Sequence, residues 1–385
     1  MKKLFAFFIF LVILNGCKEK FVPSTQSPVT GYLVVEGYIS SGVEPTTITL
    51  TRTTKLYDTS TIIYERNAQV NIIGQNQETY PLSETGNAVY TSGSLNLNSS
   101  EKYHLQIKTQ DGKEYASDDA NVKLTPDIDS LTWARENGGL NIYVNTHNPQ
   151  NNTRYYHWKF EETWEFHATY YSSLVYTYDQ NNQPVGVTFR NPMQSVDTTI
   201  HKCWNNVNST NINLGSSEKL AQDIIDLPLI FIEQGSVKLS VLYSVNVRQY
   251  ALSQNAYLFF QKIKKNTEQV GSIFDAQPSE LQGNIHCINN SSEVVVGYVD
   301  ISQEKIKRVF ISNSDLPGWN YTMACAQTII DNNPDSIHKY GIGLNPTVVY
   351  TYGIGGSVKQ FYATPEINCM NCTLTGSNVR PSFWP

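Results

Sequence analysis

Short runs in which apolar and polar residues alternate constrain the fold of this chain more than any other feature. In Thr46–Arg52 the apolar residues Ile48 and Leu50 alternate with polar neighbours, and Ser236–Tyr250 is a longer run rich in Val, Leu and Tyr. Successive side chains of a strand point to opposite faces, so this period of two is typical of half-buried strands and not of helices. The sequence therefore predicts a mainly β fold.

Turn residues between these runs divide the chain into two β domains. The runs in 31–124 are short and closely spaced, which is typical of an immunoglobulin-like or transthyretin-like β-sandwich. The segment Thr125-Pro126-Asp127 marks a boundary. Residues 125–385 are then expected to form a larger β-rich domain, in which the Asn-, Ser- and Thr-rich stretch 179–216 forms a long excursion.

One segment of the larger domain has the spacing of a helix. Ala256, Phe259 and Ile263 recur every three or four positions, Ser253 precedes them as an N-cap, and Gly271 follows. We therefore expect one packed α-helix near 253–272.

The N-terminus has the features of a lipoprotein signal peptide. A basic start precedes the uncharged apolar run Leu4–Leu14, which is too short to span a bilayer. Gly16, a small residue, stands directly before Cys17. Cleavage after residue 16 would leave Cys17 free to take a lipid, and residues 17–30 would form a flexible tether. The alternative is an ordinary signal peptide with an incidental cysteine.

Composition limits the partners of the mature chain. Removal of residues 1–16 leaves 369 residues, and the loss of Lys2 and Lys3 changes the formal net charge from −6 to −8. An acidic body does not favour nucleic acid, so the expected membrane contact is the N-terminal lipid. The charged segment Lys18-Glu19-Lys20 favours display at the cell surface, with the periplasmic face as the alternative.

Five segments together resemble the Bacteroidota lipoproteins known as domain of unknown function 4249, from about residue 30 to the end of the chain. They are VVEGYIS at 34–40, YSVNVRQYALSQNAYLFF at 243–260, GSIFDAQPSELQGNI at 271–285, VVVGYVDIS at 294–302 and CMNCTLTGSNVRPSFW at 369–384. The resemblance implies a lipoprotein, often encoded beside a TonB-dependent outer-membrane receptor. It implies no reaction and no catalytic residue.

Five cysteines remain besides Cys17, in a compartment that permits disulfides. Cys369 and Cys372 form a C-x-x-C pair, but no helix follows for redox chemistry and no second pair completes a zinc site. The resemblance places both, with Cys203, at family positions. We expect them to bond to Cys203 and Cys325, in either pairing, and Cys287 to be a buried free thiol.

The remaining motifs predict no catalytic residue, metal or cofactor. The chain has no HExxH, GxSxG or EF-hand pattern. His157 and His167 flank Glu161, Glu162 and Glu165, which would suit a metal cluster, but a solvated strand face is the favoured interpretation.

Aromatic residues crowd the region from 133 to 178. We expect most of them to be buried in a sheet. Tyr170, Tyr171, Tyr176 and Tyr178 precede a polar stretch, so they are the candidates for an exposed surface that binds glycan, peptide or a partner protein.

The expected function is that of a non-enzymatic accessory or ligand-capturing partner of a TonB-dependent receptor at the outer membrane. This expectation depends on the resemblance and on the lipid anchor. A structural or adhesive envelope protein and a surface hydrolase are the alternatives.

Overall fold

The structure, a computed structural model, describes residues 31–54, 62–191, 198–268 and 283–385. They form two β-sandwiches and a small β module, so the prediction of a mainly β fold is confirmed. The predicted signal peptide, Cys17 and the tether lie outside the described residues.

The strands run through the whole described chain. The first nine are β1 (Leu33–Ser40), β2 (Pro45–Arg52), β3 (Ile63–Tyr64), β4 (Gln69–Gly74), β5 (Thr79–Gly86), β6 (Val89–Ser94), β7 (Lys102–Lys108), β8 (Glu114–Ser117) and β9 (Ala120–Asn121). The next nine are β10 (Ile128–Glu136), β11 (Gly139–Asn148), β12 (Tyr155–His167), β13 (Leu174–Tyr178), β14 (Pro184–Phe189), β15 (Lys202–Asn208), β16 (Asn213–Ser216), β17 (Asp223–Glu233) and β18 (Leu242–Ala251).

The remaining strands and the helices complete the chain. The strands are β19 (Ile285–Cys287), β20 (Val295–Gly297), β21 (Ile301–Ser302), β22 (Lys305–Ser312), β23 (Thr328–Asp331), β24 (Asn345–Tyr352) and β25 (Val358–Thr364). The long helix is α1 (Gln254–Glu268), and short helical turns occupy Val237–Leu239, Asn313–Asp315, Pro334–Ser336, Ile337–Gly341, Ile354–Gly356, Ile367–Cys369 and Cys372–Leu374.

The N-terminal sandwich is a continuous ladder that folds back on itself. Its strands follow the order β19-β8-β7-β4-β5-β6-β2-β1-β20, and β19 and β20 at the two ends pack together. Alternate residues of the strands, such as Ile48 and Leu50, are fully buried in the core. The strands of 285–302 come from beyond the predicted boundary at residue 125, so the sandwich takes strands from both sides of it.

Two glycines permit this close return of the chain. Gly297 has φ +147°, and a Cβ there would lie 2.3 Å from the carbonyl oxygen of Val35. A Cβ on Gly283 would lie 1.6 Å from the carbonyl oxygen of Gly297. Only glycine allows backbones to approach so closely.

The second sandwich packs the sheet β10-β11-β17 on the sheet β15-β12-β18-β22, around a core that includes Tyr156, Trp158 and Tyr243. The prediction of one long excursion at 179–216 was wrong, because that stretch contains β14, β15 and β16. Both β15 and β16 pair with β12 at the edge of its sheet. An edge strand keeps one side in water, which explains its polar composition.

The remaining strands form a small module. The hairpin β13-β14 packs on the sheet β23-β25-β24 around Leu174, Ile337 and Phe361. These residues come from two distant parts of the chain.

The predicted helix is present as α1. The Ser253 hydroxyl accepts a hydrogen bond from the Ala256 amide at 3.2 Å, as expected of an N-cap, and Ala256 and Phe259 are buried. Gly271 and most of the GSIFDAQPSELQGNI segment lie outside the described residues.

Candidate functional site

The two sandwiches meet where β1, β12 and β18 come together. Tyr38 on β1 shares a hydrogen bond of 2.7 Å with the Nδ1 atom of His157 on β12. The Tyr38 ring also stacks on that of Tyr250 on β18, with 4.7 Å between the ring centroids. All three side chains are buried. The contact is therefore a fixed joint between the two sandwiches.

This joint carries no charge at neutral pH. Burial lowers the pKa of His157 to about 3, and the positive charges of Lys159 and Lys264 act in the same direction. Burial also raises the pKa of Tyr38 well above its ordinary value, assisted by Asp300 and Tyr250. Both groups are neutral, so they can be buried together at little electrostatic cost.

A cleft of about 670 Å³ opens beside the joint. We call it the junction cleft. The first sandwich contributes acidic and hydroxyl side chains, and the second contributes side chains of both charges. Those that matter here are Glu36, Glu44, Thr47, Lys159, Arg248 and Glu304.

Two carboxylates of the junction cleft are held by neighbouring side chains. Glu304 accepts a hydrogen bond of 2.5 Å from the Tyr250 hydroxyl, and its ion pair with Arg248 measures 3.4 Å. Glu161 accepts a hydrogen bond of 3.1 Å from Asn206 and lies 3.8 Å from Arg308. These contacts give one wall of the cleft a rigid, charged surface.

The prediction of a solvated face on β12 was wrong for His157, Glu162 and Glu165, which are buried. Glu161 is half-buried, and His167 is exposed as expected. The ammonium group of Lys238 lies 2.9 Å from both carboxylate oxygens of Glu162. Partners from distant parts of the chain allow these charges to be buried, which the local sequence does not reveal.

Glu165 ties the C-terminus to the second sandwich. It accepts hydrogen bonds of 2.9 Å from Lys202 and His167 and one of 3.0 Å from the indole of Trp384. Burial alone would raise the pKa of Glu165, but these hydrogen bonds outweigh it and hold the pKa below its ordinary value. The cluster is structural and explains the burial of Trp384.

The four cysteines predicted to form disulfides do so, with defined partners. Cys203 bonds to Cys372, and Cys325 bonds to Cys369, so the C-x-x-C pair is divided between two bridges. Cys287 is free and buried on β19. The C-x-x-C motif therefore joins two distant segments to the C-terminal end.

The four tyrosines predicted as a binding surface have different environments. The hydroxyl of Tyr170 donates to the carbonyl oxygen of Cys325 at 2.6 Å, and that of Tyr176 donates to the Gly341 carbonyl at 3.1 Å. Tyr171 and Tyr178 are exposed by 43% and 57%. A binding role for Tyr171 and Tyr178 stays a prediction.

Neither a metal centre nor a membrane-spanning helix is found in the described ranges. No group of three or more His, Cys, Asp or Glu side chains there is arranged to hold a metal ion. No helix of those ranges is long and apolar enough to cross a bilayer.

The fold and the junction cleft define a disulfide-bonded protein of two β-sandwiches with a cleft between them. Residues 18–308 match the family described as domain of unknown function (DUF4249), and the chain belongs to that family. No curated protein matches the sequence.

One solved structure with some likeness is a candidate carbohydrate-binding protein from Bacteroides uniformis. It is 10% identical in sequence, with coverage of 73% of this chain and 98% of that chain, and the TM-score is 0.15. A score this low does not indicate a shared overall fold, so no function is inferred from it.

Sequence reasoning missed the residues of the junction cleft. The signal that was available is a charged residue within a strongly apolar strand, as in Glu36 of β1, Lys159 of β12 and Arg248 of β18. Such a residue must face either water or a cleft, and only the packing of the two sandwiches distinguishes these.

Proposed function

We propose that this chain is a lipid-anchored, non-enzymatic protein of the outer membrane that captures a polar ligand in the junction cleft and works with a TonB-dependent receptor. The observation that carries the proposal is the cleft itself. Its volume of about 670 Å³ lies within the range of small-molecule sites, and it combines fixed charges with hydroxyl groups.

The location and the receptor are supported by the sequence. The apolar run before Cys17 has the form of a lipoprotein signal, and the family resemblance implies a receptor gene nearby. A TonB-dependent receptor takes up ligands that are delivered at the cell surface, and a cleft on a tethered partner suits that role.

A variant that fills the cleft tests ligand capture. Thr47 is exposed on β2 and lines the junction cleft, so Thr47→Trp should fill it without disturbing a core. Thr79→Trp, at an exposed position of β5 outside the cleft, is the matched control. Thermal shifts would be measured with maltotriose, an acidic trisaccharide and a tripeptide. At least one probe should stabilise the wild type and the control but not Thr47→Trp. Equal shifts in all three proteins would overturn the proposal.

A pull-down tests the partnership. The protein, tagged after Pro385, would be recovered from native outer membranes in mild detergent, and its companions would be identified by mass spectrometry. A stoichiometric TonB-dependent receptor is the expected result. Recovery of the protein alone would overturn the partnership and favour an adhesive role. In a separate assay of the purified protein, turnover of a probe sugar or peptide would favour a surface hydrolase.

A further inference from the structure

The junction cleft continues into a second cavity of about 310 Å³. Glu36 and Lys159 line both cavities and stand between them. The second cavity is bordered by apolar side chains, among them Val34 of β1 and Phe260 and Ile263 of α1. A ligand at the shared wall would therefore meet a charged region on one side and an apolar region on the other.

Lys159 has no hydrogen bond or ion pair among the described residues. Its ammonium nitrogen lies over the ring of Tyr38, 5.6 Å from the ring centroid. Lys159 is an exposed residue of β12, but partial desolvation by the cleft walls lowers the pKa of its ammonium, although Glu36 and Glu304 act to raise it. A partly desolvated ammonium without a hydrogen-bond acceptor gains most from an anionic ligand group.

The opposite wall carries two carboxylates, of which Glu36 is exposed and Glu44 is half-buried. Glu36 and Glu44 line the cleft, and no described side chain forms a hydrogen bond or ion pair with either. They differ in this from Glu161 and Glu304, whose charges are already matched by arginines. The cleft thus offers one free cation on the second sandwich and two free carboxylates on the first.

We propose that the ligand is a short zwitterionic peptide whose last residue has an apolar side chain. This inference depends on the proposed function, because it names the ligand class of the same cleft. The C-terminal carboxylate of the peptide binds Lys159, and the last side chain enters the apolar cavity beside Phe260. The N-terminal ammonium lies in the larger cavity and pairs with Glu44.

Other ligand classes fit the free charges less well. A neutral oligosaccharide would leave the ammonium of Lys159 without a counter-charge. A polyanion would meet more carboxylates than cations, since Glu36, Glu44, Glu161 and Glu304 face only Lys159 and Arg248. A ligand with one charge of each sign supplies a partner for Lys159 on the second sandwich and for one carboxylate, Glu44, on the first.

Calorimetry on the mature protein in mild detergent tests the assignment. The probes are the peptide Ala-Ala-Phe, its C-terminal amide, its N-acetyl derivative and maltotriose. Lys159→Met should weaken binding of Ala-Ala-Phe at least tenfold while changing the affinity for the amide less than threefold. Glu44→Gln should likewise weaken binding of Ala-Ala-Phe at least tenfold while changing the affinity for the N-acetyl derivative less than threefold.

Lys102→Met is the matched control, since Lys102 is an exposed strand lysine that lines neither cavity. It should leave every affinity unchanged, and circular dichroism checks that each variant is folded. An equal loss for the acid and the amide in Lys159→Met, or binding of maltotriose but not peptide, overturns the peptide assignment alone. If Thr47→Trp abolishes the binding of none of the probes, both the peptide assignment and the proposed function are wrong.

Discussion

His157, buried at the contact between the two sandwiches, makes the stability of the protein depend on pH. Its imidazole shares the 2.7 Å hydrogen bond with Tyr38 and is only 4% exposed. The folded state therefore holds it neutral down to a pKa of about 3, whereas the unfolded chain protonates it near the ordinary value of 6.5. Between these two values only the unfolded state gains a proton.

We expect His157 to make the protein less stable as the pH falls below 6.5. Each pH unit in this window removes at most about 1.4 kcal/mol, so about 1–2 kcal/mol should be lost between pH 7 and pH 5. Above pH 6.5 the residue has no such effect. Urea unfolding of the wild type and of His157→Gln at both pH values measures this. The variant should lose less stability than the wild type over the interval, and an equal loss would contradict the assignment.

At the scale of elements, the disulfides fasten the C-terminal segment to the fold. One bridge closes a separation of 169 residues from β15 to the turn at Cys372–Leu374. The other closes 44 residues, between Cys325 and Cys369. A longer loop loses more conformational entropy in the unfolded state when it is closed.

Removal of the longer bridge should therefore cost more. The double variant Cys203→Ser with Cys372→Ser should be destabilised by about 2–5 kcal/mol. The variant of the shorter bridge, Cys325→Ser with Cys369→Ser, should lose about 1 kcal/mol less, from the ratio of the two separations. Denaturant unfolding without reductant measures both. A reversed order would show that local packing at these sites exceeds the chain-entropy effect.

At the scale of the whole molecule, the N-terminal sandwich depends on a distant part of the chain. Ile285, Val295 and Ile301 are buried in its core, and β20 and β21 are parallel partners of β1. A fragment of residues 31–124 would expose this core and leave both sheet edges unpaired.

We expect the isolated fragment 31–124 to be unfolded or aggregated. The same fragment joined by a flexible linker to residues 283–303 should recover a cooperative unfolding transition, because the missing strands are restored. Circular dichroism with thermal melting distinguishes the two. A stable, monomeric fragment 31–124 would show that the returning strands are dispensable.

The proposed lipid anchor on Cys17 would determine where the whole molecule is located. Cys17→Ser removes the thiol that a lipid requires, so the protein should leave the membrane fraction and the mass of the lipid should disappear from the N-terminal peptide. Fractionation and mass spectrometry measure this, with Cys287→Ser as the control. Retention of the serine variant in the membrane would favour an anchor other than the lipid.

The local sequence pattern was sufficient to predict the fold class and the long helix. Alternation with a period of two specified the mainly β class, and the spacing after Ser253 specified α1, because each depends on residues within a few positions of one another. The family segments also pointed to paired cysteines, without the partners, and the odd cysteine count pointed to one free thiol.

Tertiary structure alone decided the rest. The joint of Tyr38 with His157 spans 119 positions of sequence, and the strands of 285–302 complete a sheet that begins at Leu33. Neither pairing leaves a local periodic signal in the sequence, since any strand edge can accept many partners. The partner that is chosen depends on how much apolar surface the whole fold buries. The junction cleft exists only because two separately patterned sandwiches pack together, so its charged residues acquire a common site only in the folded molecule.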